Sequence, residues 1–127
     1  MTVAQLLSQI DQLNPNDMGN AQKTAWILTL EKQLADEVLD THQLSAQEEA
    51  QRQRIHALQS LSAEDVLLAP DQYAEVYRRY VDAQIAMAAC DTDAYENAQA
   101  LHNNALLTYK NYFNRTHRGK AGGRVLL

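Results

Sequence analysis

The chain has 127 residues, a formal net charge of −5, a mean hydropathy of −0.46 and a single cysteine, Cys90. That length fits one domain, long enough to bury roughly 65–70% of the surface its unfolded chain exposes, so no covalent staple is required. One cysteine excludes an internal disulfide, and no run reads as a signal peptide or a membrane span, so the expected setting is the reducing cytoplasm with no membrane partner.

Thr2-Val3-Ala4-Gln5 has the form of a capping box, and Val3, Leu6, Leu7, Ile10 and Leu13 mark one face of a short first helix. Asn14-Pro15-Asn16 ends it, because the residue before a proline is pushed out of the α region. From Asn20, read as an N-cap, a second helix runs to about residue 42. Trp26, Ile27, Leu30, Leu34 and Val38 form its stripe, with Trp26 as a core anchor; Lys23, Glu31, Lys32, Asp36 and Glu37 fall mostly away from it.

Ser45-Ala46-Gln47-Glu48 repeats the capping-box pattern and opens a polar, mostly exposed helix at about 46–59, with Ile55, Leu58 and Leu61 as the sparse apolar residues. Val66-Leu67-Leu68 before Pro70 is a brief strand or a packed loop. Pro70 and Asp71 favour a helix start, and Tyr73, Val76, Tyr77, Tyr80, Gln84 and Met87 follow at helical spacing to about Cys90. Asp91-Thr92-Asp93 interrupts the pattern, with Asp93 and Glu96 as caps for a last helix from about 95 to 117. On that helix Tyr95, Ala98, Leu101, Ala105, Tyr109 and Tyr112 share a stripe that Leu106 and Phe113 widen. So short a turn predicts two antiparallel helices, with most of the stability in their facing tyrosines. The expected fold is all-α: a bundle of four to five helices in one domain (1–117), ending in a helix hairpin, followed by a flexible basic arm (118–127).

The charge is divided along the chain. Up to Glu96 sixteen acids stand against six bases; beyond it Lys110, Arg115, Arg118, Lys120 and Arg124 have no acid among them. Three accounts fit: a solvated acidic body with a basic end, self-complementarity between copies, or contact with nucleic acid, against which the low pI counts for the domain as a whole. Val125-Leu126-Leu127 after this basic stretch has the form of a segment that orders on a partner, or of an end without consequence.

Catalytic and metal patterns are missing. His42, His56, His102 and His117 are widely separated, and none has a Glu three residues before it, which removes the di-iron pattern of helical bundles. One cysteine cannot build a thiolate zinc site. Gly119-Lys120 has Asn114 and Ala121 where a phosphate loop needs Gly and Ser or Thr. A Cys90–His102 pair is less favoured than a small buried cysteine. Tyr109, Tyr112 and Phe113 beside Lys110 and Arg115 suit core packing better than base stacking. No cofactor, no metal and no enzymatic activity are expected.

Several motifs together resemble a known family. Ile10-Asp11, Leu13-Asn14-Pro15-Asn16, Lys23-Thr24-Ala25-Trp26-Ile27, Leu30-Glu31 and Thr41-His42 are one part; Leu67-Leu68-Ala69-Pro70, Ala83-Gln84-Ile85, Tyr95-Glu96-Asn97 and the closing Tyr112-Phe113-Asn114-Arg115-Thr116-His117 are the other. They resemble small head-tail connector (adaptor) proteins of tailed bacteriophages and prophages, and the likeness weakens between 43 and 63. The resemblance implies a structural subunit that assembles as a ring beneath the portal, joins head to tail and helps retain DNA. Its implied partners are the portal protein, neighbouring connector copies and a tail-side neck protein, with DNA met only within the channel. Its implied place is the virion neck, after a monomeric stage in the host cytoplasm. A terminal extension that docks on the portal corresponds here to residues 118–127. Arg115, His117, Arg118, Lys120, Arg124, Val125, Leu126 and Leu127 are the docking candidates; Trp26, Tyr73, Tyr77, Tyr80, Tyr95, Tyr109, Tyr112 and Phe113 are the expected core. The alternative is a helical nucleic-acid or protein-binding module that uses the same basic tail.

Overall fold

A computed structural model describes residues 1–120, so the docking candidates Arg124, Val125, Leu126 and Leu127 lie outside the described residues. The protein is all-helical with five helices: α1 (Val3–Leu13), α2 (Asn20–Leu34), α3 (Ala46–Ala57), α4 (Glu75–Ala88) and α5 (Thr92–Thr116). Among the described residues there is no strand, only two isolated antiparallel bridges, Thr2 with Val66 and His42 with Gly119. None of these helices is long and apolar enough to cross a membrane.

The capping box predicted for α1 forms: Gln5 N–H donates to Thr2 Oγ1 and Thr2 N–H to Gln5 Oε1. Other N–H groups of this terminus are met by the 63–67 segment, which accepts from Val3 at Asp65 C=O and from Ala4 at Ala63 C=O. Leu67 N–H in turn donates to Met1 C=O, so the stretch before Pro70 is a packed loop with Leu67 and Ala69 buried. Val3, Leu6, Leu7 and Ile10 are buried, but Leu13 is 60% exposed. Leu13 is the last residue of the helix, where the stripe runs past the edge of the body.

The N-cap of α2 is Gly19, not Asn20, and no side chain serves it. Lys23 and Glu31, expected to face outward, are 2% and 0% exposed. Lys23 Nζ reaches Asp11 Oδ1 at 2.6 Å and Asn16 Oδ1 at 3.1 Å, which ties α2 to α1 and to the turn between them. Trp26 is half-buried at the rim while Ile27 takes the inward position. The single helix expected to about residue 42 instead widens after Leu34 into a π turn, Ala35–Leu39, closed by Asp40 N–H on Ala35 C=O at 2.9 Å. In α3 the second capping box forms between Ser45 and Glu48, and Ile55 is the one buried residue.

The apolar face of α4 centres the core, with Val76, Tyr77, Val81, Ala83 and Ala86 buried against α1, α2 and α5. A short 3-10 turn, Asp71–Tyr73, leads into it. At the far end Asp91 N–H donates to Ala86 C=O and Cys90 N–H to Met87 C=O, the Schellman pattern, with Cys90 in the left-handed region at φ 58°. Cys90 is therefore exposed rather than a small core residue, and Met87 beside it is 53% exposed. Asp91, not Asp93 with Glu96, caps α5 by accepting from Ala94 N–H at 3.1 Å.

Along the α4–α5 seam the rings of Tyr73 lie 5.6 Å from Tyr109 and 4.8 Å from Tyr112, and buried His102 donates from Nδ1 to Val76 C=O at 2.9 Å. Tyr77, Tyr109 and Phe113 are buried; Tyr73, Tyr80, Tyr95 and Tyr112 are half-buried.

Candidate functional site

The residues that bear on function gather where α5 ends. Phe113 is turned inward on the last turns of α5, and two histidines close on its ring. His117 stacks face to face with it at 3.8 Å and 6°, and His42, just past the π turn of α2, meets it edge-on at 4.9 Å. Each histidine follows a threonine in the same local arrangement. Thr41 Oγ1 donates back to Val38 C=O and Thr116 Oγ1 to Tyr112 C=O, both at 3.0 Å, and each hydroxyl also lies within 3.0 Å of its neighbour's Nδ1. The Thr-His dipeptide recurs at 41–42 and 116–117, a repetition visible in the sequence beside the closing 112–117 motif.

Polar partners fix both rings. His42 Nδ1 lies 2.6 Å from Val38 C=O and its Nε2 lies 2.7 Å from the Asn114 side-chain amide. His117 Nε2 donates to Glu48 Oε2 at 2.6 Å, while Glu48 Oε1 accepts from Ser45 N–H at 2.9 Å. Glu48 thus serves a helix cap and a clasp at once. Burial works to raise its carboxyl, but the Ser45 N–H and His117 outweigh that and hold it below its ordinary value.

The clasp extends into the backbone. Gln43 N–H donates to Arg118 C=O at 2.7 Å and Lys120 N–H donates to Thr41 C=O at 3.2 Å, which creates the His42–Gly119 bridge. Residues 118–120, expected to be the start of a free arm, are therefore paired to 41–43, although the side chains of Arg115, Arg118 and Lys120 stay exposed. His117 is half-buried in the clasp, held by Glu48. Lys110 bonds Glu37 at 2.8 Å across a cleft of about 200 Å³. Lys120 sits close enough to Glu49 to assist Arg52 in holding that carboxyl below its ordinary value.

Both ring nitrogens of each clasp histidine lie within hydrogen-bond distance of a described neighbour, so the rings are held in place. Asp36, Asp40 and His56 do converge on the surface. However, the imidazole spans the two carboxylates, Nδ1 at 3.7 Å from Asp36 and Nε2 at 3.2 Å from Asp40, and the Arg52 guanidinium occupies Asp40 at 3.2 Å. A metal held by one ring nitrogen would have to displace that cation, so the arrangement fits an ion-pair network better than a coordination site.

A second polar group lies in the core. Glu31 accepts from Tyr77 Oη–H at 2.5 Å and from Leu68 N–H at 2.9 Å, and Ala69 N–H donates to Tyr77 Oη at 2.9 Å. Among the described residues every buried side-chain polar atom has a hydrogen-bond partner. The group joins α2, the 66–69 loop and α4; Arg54 acts on Glu31 only through its charge at a distance. The chain matches no known protein-family profile, no curated protein and no solved structure.

Proposed function

We propose that the protein is a structural coupling subunit, a head-tail connector (neck or adaptor) of a tailed bacteriophage or prophage. In this reading copies assemble as a ring under the portal, join head to tail and help retain DNA. The helical bundle, with the antiparallel α4–α5 pair as its stiff element, is the body. The basic segment after α5 is the docking arm, and the isolated chain associates at most weakly until the portal arrays it.

The observation that carries the reading is the clasp. A segment of cationic side chains is gripped at its root by backbone pairing, a Phe–His stack and a carboxylate, while Arg115, Arg118 and Lys120 face outward. Anchoring a segment at its base while leaving its charges exposed suits transmission of force to a partner. The motif likeness supplies the identity of that partner. No enzymatic role is proposed; the buried polar groups among the described residues are hydrogen-bonded to one another or to the backbone.

The test is to mix the protein with its cognate portal and image the product, alongside a chain truncated after His117. The intact chain should form rings on the portal and the truncated chain should not; equal docking by both defeats the proposal. A nucleic-acid module using the same exposed cations is the second reading, favoured by the absence of any acid after Glu96. It predicts binding that weakens steeply with salt and needs no portal.

A further inference from the structure

Remote from the clasp, the start of α2 forms a groove with α1 and the 59–63 loop. It has a volume of about 440 Å³ and is lined mainly by Leu7, Ala21, Ala25, Leu28 and Leu61. Its volume leaves room for two or three branched aliphatic side chains. Asp17 and Glu64 flank it in sequence, are exposed, and make no ion pair among the described residues.

We infer that this groove receives Val125-Leu126-Leu127 of a second copy, with Arg124 of that copy drawn toward the acidic Asp17 and Glu64. The segment has the matching chemistry: three apolar residues directly after a cationic one.

Geometry selects the neighbour's groove over the chain's own. Lys120 is held at Thr41, and an α-helix rises about 1.5 Å per residue, so the near edge of the groove at Leu28 lies roughly 19 Å back along α2 and the far edge at Ala21 roughly 30 Å. An extended chain covers at most about 3.5 Å per residue, which brings Val125 to roughly 18 Å and Leu127 to roughly 25 Å from Lys120. Within one chain the segment reaches only the near end of the groove, and only with residues 121–127 fully extended, whereas the groove of a neighbour carries no such constraint.

Groove and segment are different surfaces, so the contact is heterologous, and repeated contacts close into a ring or run on as a filament. Three side chains bury far less than the roughly 1,200 Å² of a stable interface, so the contact is weak in free solution and adds up when copies are arrayed. The inference rests on the reading above only in treating the tail as a docking arm.

The experiment uses the full chain without any partner. Sedimentation equilibrium from about 10 μM to about 1 mM spans the range in which so small an interface dissociates. The weight-average mass of the parent should rise with concentration. Leu126→Asp and Ala25→Arg, each in the full chain, should each weaken association by at least about tenfold. An equimolar mixture of the two variants should recover a two-chain species and nothing larger, because one intact groove and one intact tail remain. Unchanged melting of both variants confirms that the body is intact.

A parent that is monomeric throughout, variants that associate like the parent, or a mixture that stays monomeric each overturn the inference. So do concentration-independent amide shifts at Leu28 and Ala25 on Leu126→Asp substitution, which place the segment in its own groove. Failure here with portal docking intact leaves the connector reading standing, and loss of docking with self-association intact removes that reading alone.

Discussion

Glu31 shows how a single buried residue can set the pH response of the fold. It lies on α2 with two donors, Tyr77 Oη–H and Leu68 N–H, and no cation in hydrogen-bond reach. Burial is the dominant influence and lifts its pKa from 4.5 to about 7, against the lowering effect of those two donors. The folded state therefore holds this proton more tightly than the unfolded chain does. The stability that follows is fully present below about pH 4.5 and is lost as pH rises through about 7, on the order of 3 kcal/mol in all. Buried His102 acts in the opposite sense: burial lowers its pKa, so its contribution is lost as pH falls below its ordinary range. Comparing the parent with Glu31→Gln isolates the first effect. The difference in unfolding free energy, measured by urea denaturation between pH 4.5 and 8, should change steadily in favour of the variant as pH rises; a constant difference would contradict the assignment.

At the scale of elements, the α4–α5 turn uses one residue for two ends. Asp91 closes α4 through its N–H on Ala86 C=O and opens α5 through its side chain on Ala94 N–H. The cost falls on Cys90, a residue with a Cβ held at φ 58° where glycine is the usual occupant. Cys90→Gly should raise stability by about 0.5–1 kcal/mol, the left-handed strain relieved less the extra freedom of the unfolded chain. Chemical denaturation reads this directly. Glu48 links two elements in a similar way, so Glu48→Ala should cost about 1 kcal/mol through the lost cap and, separately, expose the amides of Gln43 and Lys120 to rapid hydrogen exchange. Protection of both amides in the variant would show that the backbone pairing does not need the His117–Glu48 contact.

These cases also mark what could be read from the chain. Both capping boxes were legible because Thr2 with Gln5 and Ser45 with Glu48 act over three residues. Inward Lys23 and Glu31 were not, because a helical stripe reads charge as outward and the groups that permit burial come from elsewhere: Asp11 for one, Tyr77 and the Leu68 N–H for the other. The turn itself was legible from Asp91-Thr92-Asp93, but the left-handed, exposed Cys90 was not, because glycine is the usual occupant of that position. The clasp was half legible: its aromatic and histidine residues stood out, but pairing 118–120 with 41–43 is a contact across more than seventy residues that no local pattern encodes.

For the whole molecule, the division of charge is partly cancelled by the fold. Lys110 is paired with Glu37, His117 with Glu48, and Lys120 lies beside Glu49, so the outward cations of the described segment reduce mainly to Arg115 and Arg118, with Arg124 beyond it. A nucleic-acid binder loses about 0.9 in the slope of log affinity against log salt for each phosphate it neutralises, so Arg115, Arg118 and Arg124 together support a slope no steeper than about −3. Binding to duplex DNA should therefore be weak and should vanish near physiological salt. Docking on a portal, where backbone-anchored geometry and apolar residues contribute beside charge, should persist there. Reversing charge with Arg118→Glu should slow portal association and flatten its salt dependence, because rim charges act mainly on encounter. Tight DNA binding with a slope well beyond −3 would show that the cis pairs open on contact with phosphate, and the clasp would then be a latch for nucleic acid instead of an anchor for a mechanical joint.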